Sequence, residues 1–138
     1  MIKIFWGDYK GAILDYNTAL KFYPEDAVLY LDRGLTKEHL KDYAGAIDDY
    51  TKGVKFDPKN PKLYHCRGFS HLNLEHYKEA LNDFTKAIEL DPKDAFAYCN
   101  RGTTQYNLGN KNASCLDWTE AAQLGYKEAL ENLKESCK

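Results

Sequence analysis

The chain is 138 residues long, which allows one domain with a hydrophobic core and is too short for two ordinary domains. Hydrophobic residues make up 43% and charged residues 29%, as in globular proteins, so a disordered chain is not expected. The formal net charge is −2, and no run of Lys or Arg could neutralise a row of phosphates, so nucleic acid is not an expected partner. No stretch approaches the roughly 18 consecutive apolar residues of a membrane span, so a membrane is not expected either.

In chain order, the first predicted helix covers about residues 9–22, where apolar residues follow helical spacing. By its place in the pattern described next, it is the second helix of a unit whose first helix is nearly all missing, with Ile4-Phe5-Trp6 as that helix's last turn. Either the chain is cut from something longer, or the protein begins on an incomplete unit. Further helices are predicted at about 27–40, 43–56, 61–74, 77–90, 95–108, 111–124 and 127–136.

The pattern of residues 61–94 recurs along the whole chain with a period of about 34 residues, which indicates a repeated pair of helices. Each unit places an aromatic residue, then Arg-Gly, on the first helix, and an Asp followed by a large ring on the second. The recurring residues are Tyr30, Tyr64 and Tyr98; Arg33, Arg67 and Arg101; Gly34, Gly68 and Gly102; and Asp15, Asp49, Asp83 and Asp117.

These repeated residues predict how the two helices of a unit pack. We expect the glycines to face Ala46, Ala80 and Ser114 on the second helix, with Tyr50, Phe84 and Trp118 filling the surrounding space. We expect each Arg to pair with the Asp of its own unit, because the planar guanidinium matches a carboxylate. A residue that recurs in every unit is a structural part, so a catalytic role for one of these aspartates is not expected.

Residues at the helix ends support the same division. Asp26, Asn60 and Asp94 precede predicted helices, where their side-chain oxygens can accept N–H groups of the first turn. Pro61 stands at a first helical position, and Gly125 ends the seventh helix.

The four cysteines, Cys66, Cys99, Cys115 and Cys137, show no CxxC or Cys/His ligand spacing. We interpret them as free thiols of a reducing compartment, and because the N-terminus lacks a secretory signal we expect a cytoplasmic protein. A bond between Cys115 and Cys137 across the last helices stays an open alternative. The histidines, His39, His65, His71 and His76, are interpreted as surface or interhelical residues, so no metal or cofactor is expected.

The repeated residues resemble the tetratricopeptide repeat, whose pattern in residues 61–94 stands as Tyr64, Arg67-Gly68, His71, Ala80, Phe84, Ala87 and Pro92. The resemblance implies an all-α, right-handed superhelix of antiparallel helix pairs. It divides residues 1–138, taken as a single domain, into a partial repeat at 1–26, repeats at 27–60, 61–94 and 95–126, and a capping helix at 127–138.

The resemblance also implies a concave groove that binds an extended peptide or a partner helix. The candidate groove residues are Leu31, Leu35, Lys62, His65, Phe69, Asn73, Phe96, Asn100 and Tyr106. The family's clamp for acidic chaperone tails would fall on Leu31, Leu35, Cys66, Phe96 and Asn100, where no basic residue stands. A partly apolar peptide or helix is therefore the expected ligand, although Leu35 and Phe96 could instead be tucked between helices.

The predicted function is a protein–protein interaction scaffold, not an enzyme, because no catalytic constellation is visible. The alternative is a self-assembly or intramolecular docking module that uses the open N-terminal end, including a possible homodimer. That end would expose Ile2, Ile4, Phe5 and Trp6 together with one side of the first helix.

Overall fold

The computed structural model describes residues 8–138, which contain α-helices and no strands. The helices are α1 Tyr9–Phe22, α2 Ala27–His39, α3 Tyr43–Phe56, α4 Pro61–Asn73, α5 Tyr77–Leu90, α6 Ala95–Asn107, α7 Lys111–Gln123 and α8 Lys127–Ser136. Consecutive helices pack side by side, so α2 with α3, α4 with α5 and α6 with α7 form antiparallel pairs in a stack. This is the all-α superhelix that the resemblance to the tetratricopeptide repeat implies.

Four helices end one residue earlier than predicted, and the chain leaves each of them in the same way. After the leucine that caps α2, α4, α6 or α7, the next residue has a positive φ, and the amide after it donates to a carbonyl five residues back. This hydrogen bond satisfies carbonyls that the helix end would otherwise leave unpaired. The left-handed residues are Lys41, Glu75, Gly109 and Gly125, with φ of 62°, 61°, 85° and 95°.

The predicted N-caps are confirmed. The Asp26 carboxylate accepts from the amides of Val28 and Leu29, and the Asn60 side chain accepts from the amide of Lys62. The Asp94 carboxylate accepts from the amide of Ala97 at 3.0 Å. Each unit of the stack therefore starts on a side chain that satisfies a first-turn N–H group.

The glycines of α2, α4 and α6 lie under the aromatic ring of the following helix. A Cβ atom added at Gly34 would lie 2.6 Å from the Tyr50 ring, and one added at Gly68 would lie 2.9 Å from the Phe84 ring. The rings fill the space at these glycines, as predicted. The ring is nearest in each pair, and only at Gly102 does the predicted partner, through the Ser114 carbonyl, also come within 3.1 Å.

The predicted Arg–Asp pairs are confirmed and extend further than expected. Arg67 donates Nε–H and Nη2–H to the two carboxylate oxygens of Asp83, at 2.9 and 2.8 Å. Its Nη1 also donates to Thr51 on α3, which belongs to the preceding unit, at 3.3 Å. The guanidinium carbon lies 5.7 Å from the centre of the Tyr64 ring. Each guanidinium thus joins three helices, as the corresponding bonds of Arg33 and Arg101 also do.

The expectation of four free thiols is wrong for Cys115 and Cys137, which form a disulfide between α7 and the residue after α8. Cys66 and Cys99 are free and buried. Burial raises the pKa of each of these two thiols to about 12, so they stay protonated at neutral pH. Because disulfides persist mainly in oxidising compartments, the cysteines no longer support a reducing one.

Candidate functional site

The candidate site is the inner surface of the stack, called the groove here and formed by α2, α4 and α6. These first helices contact one another from one unit to the next, whereas the second helices make no comparable contacts in residues 8–138. A stack whose first helices lie closer together than its second helices curves toward the first helices. The helices that carry the candidate residues therefore line the concave side.

A cluster of rings, called the aromatic cluster here, occupies the middle and C-terminal part of the groove. Phe69 on α4 and Phe96 on α6 lie with their ring centres 5.6 Å apart. His65 packs on Phe96 at 4.7 Å, and Tyr126, the residue before α8, meets the same ring edge-on at 6.4 Å. The two phenylalanines also pack against the core beneath, so each is only partly exposed.

His65 is fixed by a carboxylate across the α4–α6 boundary. Its Nδ1 lies 2.6 Å from Oδ2 of Asp94, whose other oxygen caps α6. The Asp94 side chain thus ties the start of α6 to the middle of α4. This bond holds the imidazole against Phe96. His65 is therefore interhelical, which is one of the two interpretations that the sequence allowed for the histidines.

The polar candidates lie around the aromatic cluster. Asn73 and Asn100 each donate Nδ2–H to a carbonyl of their own helix, at 2.9 Å, on Phe69 and Phe96 respectively. Each amide oxygen is left to accept from a ligand N–H. Lys62 is exposed at the start of α4, and Tyr106 is 47% exposed at the end of α6.

Leu31 offers little surface to a ligand, and its assignment to the groove stays a prediction. It is 7% exposed and lies in a core cluster with Tyr50, Leu63 and Cys66, and Leu35 packs against the same cluster. The helix pair buries this side of α2 because the next unit lies directly on it. Cys66, a second position of the chaperone-tail clamp, is equally buried at 5%.

Glu38 at the end of α2 carries a half-buried carboxylate. It accepts hydrogen bonds from the Tyr50 hydroxyl at 3.0 Å and the Ser70 hydroxyl at 3.3 Å. Burial raises the pKa of Glu38 above its ordinary value, and these two hydrogen bonds partly offset that effect. The Glu38 carboxylate therefore links the first repeat to the second, and it is not free to pair with a charge on a ligand.

Sequence reasoning missed Tyr126 in the aromatic cluster and the second role of Asp94 beside it. Tyr126 is the last residue of the third repeat, where the chain departs from the repeat pattern, so no periodic signal marks it. Asp94 was recognised only as an N-cap, although it also binds His65. Tyr126 and Asp94 precede different helices, and only packing brings Tyr126 against Phe96 and Asp94 against His65.

Within residues 8–138, no group of three or more His, Cys, Asp or Glu side chains is placed to hold a metal ion. In the same part of the chain, none of the helices has the length and apolar character needed to cross a bilayer.

Solved structures similar to this chain include peptide-binding domains. The second TPR of Spaghetti (RPAP3), bound to the HSP90 peptide SRMEEVD, is 34% identical, with a TM-score of 0.70 over 71% of this chain and 91% of that one. The second TPR domain of human RPAP3, in complex with the HSP70 peptide SGPTIEEVD, is 33% identical. Its TM-score is 0.77, over 81% of this chain and 95% of that one. MamA, at 21% identity, shares the fold with a TM-score of 0.84 over 95% and 88%.

Family models for the tetratricopeptide repeat match residues 7–61, 61–94 and 84–115. No curated protein matches the chain in sequence. The matched ranges together cover most of the chain, and the repeated Arg–Asp pairs and glycines lie within or beside them. The chain therefore belongs to the tetratricopeptide repeat family.

Proposed function

We propose that this protein is an interaction adaptor that binds a partly apolar peptide or helix of a partner protein in its groove. The observation that carries the proposal is the aromatic cluster of His65, Phe69, Phe96 and Tyr126. Aromatic rings that stay partly exposed in a concave surface are typical anchors of a peptide side chain. The role is binding and not catalysis.

The polar residues around the cluster support an extended or helical ligand. The amide oxygens of Asn73 and Asn100 can accept N–H groups, and Lys62 can attract a carboxylate at the entrance to the groove. Because these groups sit at the edge of an apolar centre, they fix orientation while the rings supply buried area.

Acidic peptides of the kind bound by the RPAP3 domains are not the expected ligand. The positions that would carry the carboxylate clamp hold Leu31, Leu35, Cys66, Phe96 and Asn100, and two of these are buried. Desolvation of a carboxylate without a cationic partner is unfavourable. We expect no binding of the peptide SRMEEVD in a titration with the full chain, and micromolar affinity would contradict the proposed ligand chemistry.

The test is an affinity capture from the source cell lysate with the wild-type chain and two variants. Phe69→Glu places a charge in the aromatic cluster, and Leu116→Glu places the same charge on a side chain of α7 that is 73% exposed. A protein retained by the wild type and Leu116→Glu but lost with Phe69→Glu supports the groove. Equal capture by all three forms, with Phe69→Glu still folded by circular dichroism, would overturn it.

The alternative, self-assembly through the N-terminal end, depends on Ile2, Ile4, Phe5 and Trp6, which lie outside the described residues. A calibrated column checks it directly, since a dimer that is lost on Trp6→Glu would favour assembly. A monomer at all concentrations favours the adaptor.

A further inference from the structure

The last helix, α8, has fewer buried side chains to hold it than the helices before it. Of its ten residues Ala129 is the one that is buried, whereas each of α2 to α7 buries between three and five. Tyr126 precedes its first turn, and within residues 8–138 that side chain accepts no first-turn N–H group, in contrast to the caps Asp26 and Asp94. Isolated helices shorter than about 12–15 residues are marginal in water. The helix α8 therefore depends on its attachment to the rest of the stack.

A covalent bond supplies part of that attachment. The disulfide joins Cys115 on α7 to Cys137, the residue directly after α8. Leu133 and Cys137 also pack against the core of the third repeat. That core contains Ala129 and the free thiol of Cys99, which is 2% exposed. The bond thus keeps the C-terminal end of α8 on α7 and keeps the apolar contacts of α8 in place.

The other end of α8 adjoins the groove. Tyr126, directly before α8, packs edge-on against the Phe96 ring of the aromatic cluster, with the ring centres 6.4 Å apart. Between the two ends, Nδ2 of Asn132 lies 3.9 Å from Sγ of Cys99 on α6. One short helix therefore connects the disulfide to a ring in the wall of the groove, and it covers a buried thiol along the way.

We propose that the Cys115–Cys137 bond is a redox control on the groove. When a dithiol reduces the bond, α8 separates from the stack, Tyr126 leaves Phe96, and the thiol of Cys99 is uncovered. The release of α8 needs no ligand. Its effect on binding rests on the adaptor function proposed above, because Tyr126 contributes to the aromatic cluster that would hold the partner.

The exchange uses the two paired cysteines and the dithiol. Cys115 and Cys137 are both partly exposed, so a dithiol can approach the bond. One thiolate of the dithiol attacks a sulfur of the bond, forms a mixed disulfide and releases the other cysteine as a thiolate; the second thiolate then displaces the first cysteine. The protein gains the two electrons and two protons that the dithiol loses as it becomes a disulfide. The free thiols Cys66 and Cys99 do not compete, because burial raises the pKa of each to about 12 and the thiolate is the nucleophile.

The first test compares three forms of the ¹³C,¹⁵N-labelled full chain by NMR: oxidised wild type, wild type in dithiothreitol, and Cys115→Ser/Cys137→Ser. In the last two forms we expect the ¹³Cα shifts of α8 to lose their helical values, while those of α2 to α5 stay unchanged. The Phe96 ring signals should move to the positions that they have in oxidised Tyr126→Ala, which lacks the second ring and keeps the bond. Helical shifts of α8 in the reduced chain, or a loss of helical shifts in all helices, would overturn the proposal.

Alkylation of the buried thiols gives a second measurement, with Cys66 as the internal control. Cys66 packs against α2 and α3, whereas Cys99 lies in the core that α8 covers. In the oxidised chain we expect iodoacetamide to modify both thiols slowly and at similar rates. In Cys115→Ser/Cys137→Ser, Cys99 should react at least about tenfold faster than Cys66. Equal rates at the two thiols of this variant would show that loss of the bond loosens the whole stack, and would overturn the proposal.

The capture experiment on the groove, run without reductant, separates this proposal from the adaptor function. A partner that is lost with Phe69→Glu and retained less by Cys115→Ser/Cys137→Ser than by the wild type supports both. A partner that is lost with Phe69→Glu but retained at the wild-type level by the serine variant would support the groove and overturn the redox control. Release of α8 in the NMR experiment with capture that Phe69→Glu does not change would support the release and count against the adaptor.

Discussion

The second and third repeats are built from the same parts but are closed in different ways. The core of the second repeat, around Phe84, is completed by α6, whose Ala97 is fully buried in it. The core of the third repeat, around Trp118, is completed only by α8, a helix of 10 residues that contributes Ala129. The Cys115–Cys137 disulfide then ties α8 to α7. An interior repeat is thus stabilised by a neighbour on each side, and the terminal repeat by one neighbour and a covalent bond.

Two single-residue differences also distinguish the second repeat from the third. At the position of the buried Ala80, the third repeat has Ser114, whose hydroxyl has no hydrogen-bond partner. At the position of Glu75, which adopts a left-handed conformation, the third repeat has Gly109. Each repeat has one residue that should be less stabilising than its counterpart in the other repeat. Exchanging these residues one at a time measures the contribution of each to the free energy of unfolding.

Loss of the disulfide should have the largest effect. We expect Cys137→Ser to lower the free energy of unfolding by about 3 kcal/mol, since the bond closes a loop with a sequence separation of 22 residues. Urea denaturation measures it. Adding a reductant should destabilise the wild type by a similar amount and leave a Cys115→Ser/Cys137→Ser variant unaffected. A wild type indifferent to reductant would mean that the terminal repeat needs no covalent closure.

Gly68→Leu tests the packing that both repeats share. The new side chain would meet the Phe84 ring, since a Cβ atom alone would lie 2.9 Å from it. Overpacking should lower the free energy of unfolding by about 1–3 kcal/mol or more. Lys78→Leu, on the exposed side of α5, should change stability by less than about 0.5 kcal/mol. Unchanged thermal stability of Gly68→Leu would rule out the assigned helix register.

Ser114→Ala copies the second repeat into the third. Removing a buried hydroxyl without a partner should stabilise the protein by about 1 kcal/mol, measured by thermal or urea unfolding. Ser70→Ala is the matched control, because that buried hydroxyl donates to Glu38. The control should lose about 1 kcal/mol. Equal destabilisation by the two changes would show that the Ser114 hydroxyl is satisfied in solution.

Glu75→Gly copies the third repeat into the second and should have the smallest effect. A left-handed conformation costs a non-glycine residue about 1–2 kcal/mol, and the greater chain entropy of glycine takes back part of this. We expect a net gain of about 0.5–1 kcal/mol in unfolding experiments. The reverse change, Gly109→Glu, should cost a similar amount. A loss of stability on Glu75→Gly would indicate that the glutamate side chain makes a compensating contact.

Much of the fold was predictable because its signals are local or periodic. The caps at Asp26, Asn60 and Asp94 depend on side chains two or three residues from the amides they satisfy. The Arg–Asp pairs recur at a fixed separation of 16 residues, so one period identifies them all. The candidate site was less predictable, because exposure of a residue on a first helix depends on how closely the next unit lies against it.

The amino-acid sequence by itself determined the helices of residues 8–138, to within one residue at their ends, and the way in which they pair, since a repeated pattern allows each unit the same local solution. Only the tertiary structure decided that Leu31 is core, that Tyr126 joins Phe96, and that Cys115 reaches Cys137. These contacts join residues outside the repeat period or depend on the distance between neighbouring units. Such distances follow from packing all the side chains together, and no pattern along the chain encodes them.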